Sequence, residues 1–385
     1  MRLRGRVVLA EGARWLLRVA DARGVTFELE VADAARAAPG DLVVVEGREV
    51  GPTRLGDVRL VERTTPEATF PRPDGDWIHT QRTLPGLRAR AEVLSAIRAH
   101  LDGEGFLEVE TPSAVPSPGL DLHLRGFEVS GMGAPRFLIT SPEYQMKRLL
   151  VGGAGPIYQL ARCFRRDEQG ALHEPEFTML EWYRPFAGAE EVMRDTEALV
   201  AAAATRVRGE PTLERDGRTI DVAPPWPRVR VEDALQQHAG CGLADVESET
   251  AFFERWAFEV EPRLGVDRPC FVTHWPASMA SLARLHPEDP RFADRFEAYV
   301  AGIELCNGFG ELTDPREQRA RLERDVRARR EQGLDAYPID ERFLVALEEG
   351  MPPSGGNALG VDRLVMLAAG AASLADVIAF GHDRI

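Results

Sequence analysis

Apolar and polar residues alternate in short runs over the first sixty or so positions. Runs at 6–9, 15–19, 25–31, 42–45 and 58–61 read as five strands, punctuated by Gly12, Gly24, Gly40, Gly47 and Gly51. Five short strands in so little chain predict a small β-barrel over 1–63, of the oligonucleotide/oligosaccharide-binding (OB) kind. Trp15 and Phe27 have two readings there, as core of the barrel or as platforms for stacked bases. Pro66, Pro71, Pro73 and Pro85 then mark a stiff linker over 64–85.

From residue 86 the period changes. Leu87, Ala91, Leu94, Ile97 and Leu101 keep helical spacing until Gly103 and Gly105 stop it. Residues 106–112 read as a strand ended by Pro112. Beyond them, short β runs and helices follow in no regular βαβ order. Residues 86–385 are therefore expected to form an α+β domain, a largely antiparallel sheet flanked by helices. A mixed-charge helix is predicted over 314–333, with its charges as a solvated face.

Composition narrows the picture. The 385 residues are 44% hydrophobic and 28% charged, enough for a sizeable core and against global disorder. No apolar run approaches the roughly 18 residues of a membrane span, and residues 1–6 do not resemble a secretory signal. Four scattered cysteines, Cys163, Cys241, Cys270 and Cys306, lack zinc spacing and suit a reducing cytoplasm. A net charge of −15 argues against an extended nucleic-acid coat. Residues 1–63, with 11 arginines and 10 acidic residues, are the exception where local binding stays open. Lys147 is the only lysine among 47 basic residues, which reads as a coding bias towards arginine.

Three segments carry candidate chemistry. Residues 158–183 read as strand, polar loop and strand, with Arg165 beside Phe164 at a strand end. Arg165 there either holds a phosphate by a charge-assisted fork or pairs with Asp167 or Glu168. Residues 295–312 contain Asn307-Gly308, a two-residue hairpin signal. Counting outward from it sets Glu304 across from Glu311. Directly opposed carboxylates need a cation between them, or else both face solvent. Residues 355–367 read as a glycine-rich loop before an apolar helix, with Arg363 in its first turns. No phosphate-binding P-loop, dinucleotide fingerprint or G-x-S-x-G elbow occurs, which disfavours P-loop kinases, Rossmann dehydrogenases and serine hydrolases.

Taken together, these segments resemble class II aminoacyl-tRNA synthetases. Phe164-Arg165-Arg166-Asp167 through Glu181 is similar to the second signature motif, and Gly360-Val361-Asp362-Arg363-Leu364 to the third. Residues 106–112 are similar to the first, which in that family builds a dimer interface. Ser141-Pro142-Glu143, Pro175-Glu176-Phe177-Thr178-Met179 and Asn307-Gly308-Phe309-Gly310-Glu311 point to the lysine branch. Residues 276–283, 351–352 and 377–380, with Ala358, resemble the paralogues of that branch that transfer lysine to elongation factor P. The small N-terminal barrel departs from those paralogues and keeps a compact lysyl-tRNA synthetase as the alternative.

The resemblance implies a homodimeric ATP-dependent ligase that forms an aminoacyl-adenylate, with elongation factor P as partner. It implies Arg165 at the α-phosphate and Phe177 and Arg363 around adenine. Asp167, where the family usually has glutamate, would touch the adenine edge. His173, preceded by Ala171-Leu172 rather than the family's arginine, is either a phosphate contact or a structural loop residue. Glu297 and Glu304 match magnesium ligands. Glu143 would take the backbone ammonium of lysine or β-lysine. Glu181 and Glu311 would take its side-chain ammonium, with Tyr183 and Asn307 bonding beside them. Phe309 and Ala358 would complete that pocket.

Overall fold

The computed structural model describes residues 1–385 except 21–23, 32–36, 123 and 281. Ser281, inside the 276–283 segment, thus lies outside the described residues. The chain divides into two units, Met1–Arg82 and Thr83–Ile385.

The first unit is a closed barrel of β1 (Arg2–Glu11), β2 (Arg14–Val19), β3 (Thr26–Val31), β4 (Leu42–Gly51) and β5 (Arg54–Thr64). Its order is β1-β2-β3-β5-β4, closed by β4 on β1, with β3 and β5 parallel and the other pairs antiparallel. Alternation turns Val7, Leu17, Leu29, Val45 and Val58 into a common core. Trp15 and Phe27 belong to it and are buried, so they are not stacking platforms. The unit instead has a surface cleft of about 460 Å³ lined by Arg4, Arg6, Arg18, Arg63 and Trp77, among others.

Helix α1 (Asp76–Gly103) begins inside the stretch read as linker and contains Pro85. The second unit continues with β6 (Leu107–Glu108), β7 (Ala114–Val115), β8 (Glu128–Val129), β9 (Arg136–Leu138) and α2 (Glu143–Val151). Next come β10 (Ile157–Phe164), β11 (Glu176–Pro185), α3 (Ala189–Arg208), β12 (Thr212–Arg215), β13 (Arg218–Asp221) and β14 (Arg228–Arg230). Then follow α4 (Val231–Ala239), α5 (Glu249–Arg255), β15 (Cys270–Pro276), β16 (Phe292–Val300) and β17 (Ile303–Gly310). The chain closes with α6 (Pro315–Glu331), α7 (Glu341–Gly350), β18 (Ser354–Gly360) and α8 (Val361–Ala369). Eight strands form one sheet in the order β14-β15-β16-β17-β18-β11-β10-β6, parallel only at its two edge pairs.

The sheet separates two environments. Leu180 and Trp182 of β11, Phe296 and Ala298 of β16 and Leu359 of β18 pack against α1, α3 and α8. Their neighbours in sequence, Glu181, Tyr183, Glu297 and Ala358, point to the opposite face, as a period of two requires. The mixed-charge helix is α6, but Gln318, Arg321 and Arg329 on it are buried, so its charges are not all solvated.

Two expectations need correcting. The hairpin turns at Ala301-Gly302, both in the left-handed region (φ 54° and 71°), not at Asn307-Gly308. Asn307 lies mid-strand, paired with Glu297 and Ala358, and Glu304 pairs with Tyr299. Glu304 and Glu311 therefore lie along one strand and its extension rather than across from each other. Gly308 is small because the Phe296 ring fills its side-chain position, where a Cβ would meet the ring at 2.3 Å. The glycine-rich run is likewise no loop but β18, a central strand.

Candidate functional site

A cavity of about 640 Å³ opens over the sheet face opposite α1, α3 and α8. Strand alternation alone would not bring both Glu304 and Glu311 into it. Leu305 is one residue in excess between the pairs Ala298–Cys306 and Tyr299–Glu304. This bulge resets the alternation, so Glu304, Asn307, Phe309 and Glu311 all line the cavity.

One end is acidic and enclosed. Glu181 and Glu311 are buried, and Glu143 leads off α2 beside them. Ser141 donates its hydroxyl to Glu181 Oε1 at 2.5 Å, and Tyr183 donates to Oε2 at 2.9 Å. Lys147, wholly buried, lies 2.5 Å from Glu143 and 2.5 Å from Glu311. Oε1 of Glu311 accepts no hydrogen bond among the described residues. A side chain at Gly356 would meet that oxygen at 2.3 Å and the Tyr183 ring at 2.5 Å, so the glycine of β18 leaves room for both. Burial pushes Glu181 up to about 8 and Glu311 up to about 7, and it raises Glu143 as well. Carboxylates raised together in one pocket mark a surplus of acid over cation. Such a pocket suits a cationic ligand.

The other end is basic and more open. The Arg165 guanidinium lies 5.0 Å from the centre of the Phe177 ring. Its pairing with Glu168 is loose, at 3.6 Å, and its buried Nε has no hydrogen-bond partner among the described residues. Arg363 donates to the Glu304 carbonyl at 2.7 Å, and its Nη2 lies 2.8 Å from His173 Nε2. Asp362, the residue before it, accepts from the Thr178 amide at 3.0 Å and from Arg90, which fixes the start of α8 against β11. Burial and Arg363 hold His173 below the usual histidine range, so its ring is neutral and accepts from Arg363.

Glu297 and Glu304 line the same cavity, Glu304 with its carboxylate 3.5 Å from Arg363 and Glu297 beside Arg295 on β16. Arg295 donates to Glu297 at 2.5 Å, and Tyr299 donates to its other oxygen. Burial pushes Glu297 up to about 7, with Arg295 lowering it and Glu304 raising it. Among the described residues no group of three or more His, Cys, Asp or Glu side chains could hold a metal. Two hard carboxylates fit magnesium that arrives with phosphate ligands, and do not form a closed cage.

The cavity gathers every sequence-predicted site residue except Asp167. Asp167 has a positive φ of 74° and pairs with Arg125 at 2.7 Å, outside the cavity lining. Glu168 lines the cavity in its place. Ser141, Arg295 and Lys147 had no assigned role in the sequence reading. Lys147 does carry a signal, its uniqueness, which composition alone reads as coding bias.

The chain matches the family model for class II tRNA synthetases (D, K and N) over residues 76–384. It is 45% identical over 316 residues to elongation factor P–(R)-β-lysine ligase of Enterobacter sp. (strain 638), covering 78% of this chain and 96% of that protein. The protein of the same name from Edwardsiella ictaluri (strain 93-146) is 46% identical over 312 residues, with the same coverage. No helix among the described residues is long and apolar enough to cross a membrane.

Proposed function

This chain belongs to the class II tRNA synthetases (D, K and N), and we propose that it ligates lysine or β-lysine to elongation factor P. The carboxylate of the amino acid attacks the α-phosphate of ATP, pyrophosphate leaves, and an aminoacyl-adenylate remains. An ε-amino group of elongation factor P then attacks the acyl carbon, and AMP departs.

The observation that carries this reading is the pairing of two opposite ends in one cavity. Buried Glu181 and Glu311 sit at one end, Arg165 and Arg363 at the other. In the proposed mechanism Arg165 binds the α-phosphate and the charge that grows on it, using donors that are not consumed by a strong internal pair. Phe177 and Arg363 flank adenine, and His173 steers Arg363 rather than touching phosphate. Glu181 and Glu311 take the side-chain ammonium with Tyr183 and Asn307, and Glu143 takes the backbone ammonium. Phe309 and Ala358 shape the space between. Glu297 and Glu304 would hold magnesium, which when bound neutralises phosphate charge. A homodimer in the cytoplasm, with the arginine-lined cleft of the barrel unit as a contact for nucleic acid, completes the proposal.

Elongation factor P incubated with this protein, ATP, magnesium and lysine or β-lysine should gain one aminoacyl unit by intact mass. Lys147 is buried, so this chain offers no exposed lysine to compete as acceptor. An unchanged mass with charging of tRNA would replace this reading with that of a compact lysyl-tRNA synthetase.

A further inference from the structure

Lys147 is the only lysine in a chain whose other 46 basic residues are arginine. It is wholly buried on α2, one turn after Glu143, and its Nζ lies 2.5 Å from both Glu143 and Oε2 of Glu311. A chain so biased towards arginine has its one lysine between two carboxylates of the cavity. A compact ammonium on a flexible stem reaches the point between these two carboxylates. The planar fork of arginine would present its donors in a fixed geometry instead of as one point charge.

We propose that Lys147 is a built-in counterion of the amino-acid pocket, a positioning residue that favours the ionised form of Glu143 and Glu311 and spaces them for a diamino acid. This rests on the ligase reading above. Three carboxylates, Glu143, Glu181 and Glu311, face one internal ammonium, which leaves charge for the two ammonium groups of the substrate. Around this cluster stand also Ser141 on Glu181, Tyr183 on β11, Tyr144 on α2 beside Glu143, Arg284 towards Glu311 and Asp121 towards Glu143. Burial raises Glu143 and Glu311, and Lys147 opposes that rise in both. Burial also pulls Lys147 down, but the two carboxylates more than offset it and keep it an ammonium. It is therefore no rival nucleophile for the activated acyl group.

The test is amino-acid-dependent ATP–pyrophosphate exchange from pH 6 to 9 in the wild type, Lys147→Met and Lys147→Arg. In the wild type, 1/KM for the diamino acid should climb with pH as the carboxylates ionise. Removing the cation raises their pKa, so in Lys147→Met the climb should move about one pH unit higher. KM at pH 7 should then rise roughly tenfold and converge on the wild type near pH 9, with KM for ATP unchanged. Lys147→Arg should keep the wild-type pH profile but carry a higher KM at every pH. A climb that stays put in Lys147→Met, or a KM raised equally at all pH, reduces Lys147 to packing and overturns the proposal. Should Lys147→Met not fold, the arginine variant decides: a climb displaced in pH although the cation is retained overturns it, and an undisplaced one supports it. A wild type without any exchange would instead sink the ligase reading itself.

Discussion

The two ends of the cavity hold charge in opposite ways. At the acidic end, carboxylates are buried and crowded, and their ionisation is costly until a cation arrives. At the basic end, Arg165 and Arg363 keep partial exposure and a permanent charge, with Phe177, His173 and the Glu304 carbonyl holding them in place. The contrast matches what each end would recognise in the proposed reading. Ammonium groups on a short aliphatic chain need a deep, selective pocket, whereas a polyphosphate reaches solvent and needs fixed donors along its path. One end is thus tuned by protonation and the other by geometry.

Breaking the geometric end should have the largest effect. Arg165→Ala removes the guanidinium stacked on Phe177 and the donors proposed to meet the growing charge on the α-phosphate. The rate constant for pyrophosphate exchange should fall roughly 10²–10³-fold, as for loss of a preorganised donor to a transition-state oxyanion. KM for the amino acid should change far less. Equal losses in both parameters would mean that Arg165 shapes the whole cavity rather than the phosphate path.

The protonation-tuned end should respond to pH more steeply than the other. Glu181 at about 8 and Glu311 at about 7 are largely protonated at pH 6, and they ionise as the pH rises through those values. A diamino acid keeps its side-chain ammonium across this range, so its KM should fall about tenfold between pH 6 and 8. KM for ATP should move less, because His173 is held neutral and Glu297, up to about 7, is the group proposed to meet the nucleotide's magnesium that ionises over this range. The sign for stability is the reverse. These acids ionise less readily folded than unfolded, so ligand-free protein should lose thermal stability from about pH 5 to 8. Bound diamino acid should remove that loss. Thermal melts with and without ligand check both signs, and a flat ligand-free profile would show that the acidic end carries no surplus charge.

Much of this contrast is readable from sequence, and the exceptions have physical causes. The barrel strands follow from alternation alone, because each has one buried face. The guanidinium and carboxylate residues come from motifs whose spacing the sheet preserves. Asn307-Gly308 misleads because its glycine serves a contact with Phe296, a tertiary demand that local turn preference does not encode. The single extra residue at Leu305, which turns Glu304 into the cavity, has no composition signal at all. Gly355 and Gly356 read as loop because strands rarely carry paired glycines. Here Gly356 is the one residue that leaves room for Tyr183 and Glu311. Asp167 illustrates the opposite error, a motif position that its backbone turns away from the cavity.

The smallest effect should fall on selectivity within the acidic end. Ala358 pairs with Glu181 on one side and Asn307 on the other, so its methyl stands in the floor between the two strands that grip the substrate. In the proposed reading, a methyl there would shorten the pocket on the path of the amino group and favour an isomer whose amino group is shifted along the chain. Ala358→Gly should relax that choice by roughly fivefold towards α-lysine, within the range one methyl group gives in a pocket. The change should be in the ratio of kcat/KM for the two isomers, with the pH dependence of each unaltered, since no charge moves. An altered pH profile would mean that the glycine lets Glu181 shift, and the selectivity would then belong to the carboxylate rather than to the methyl. An unchanged ratio would leave the choice of isomer to the spacing of Glu143 from Glu181, the remaining feature of this end that measures where an ammonium sits.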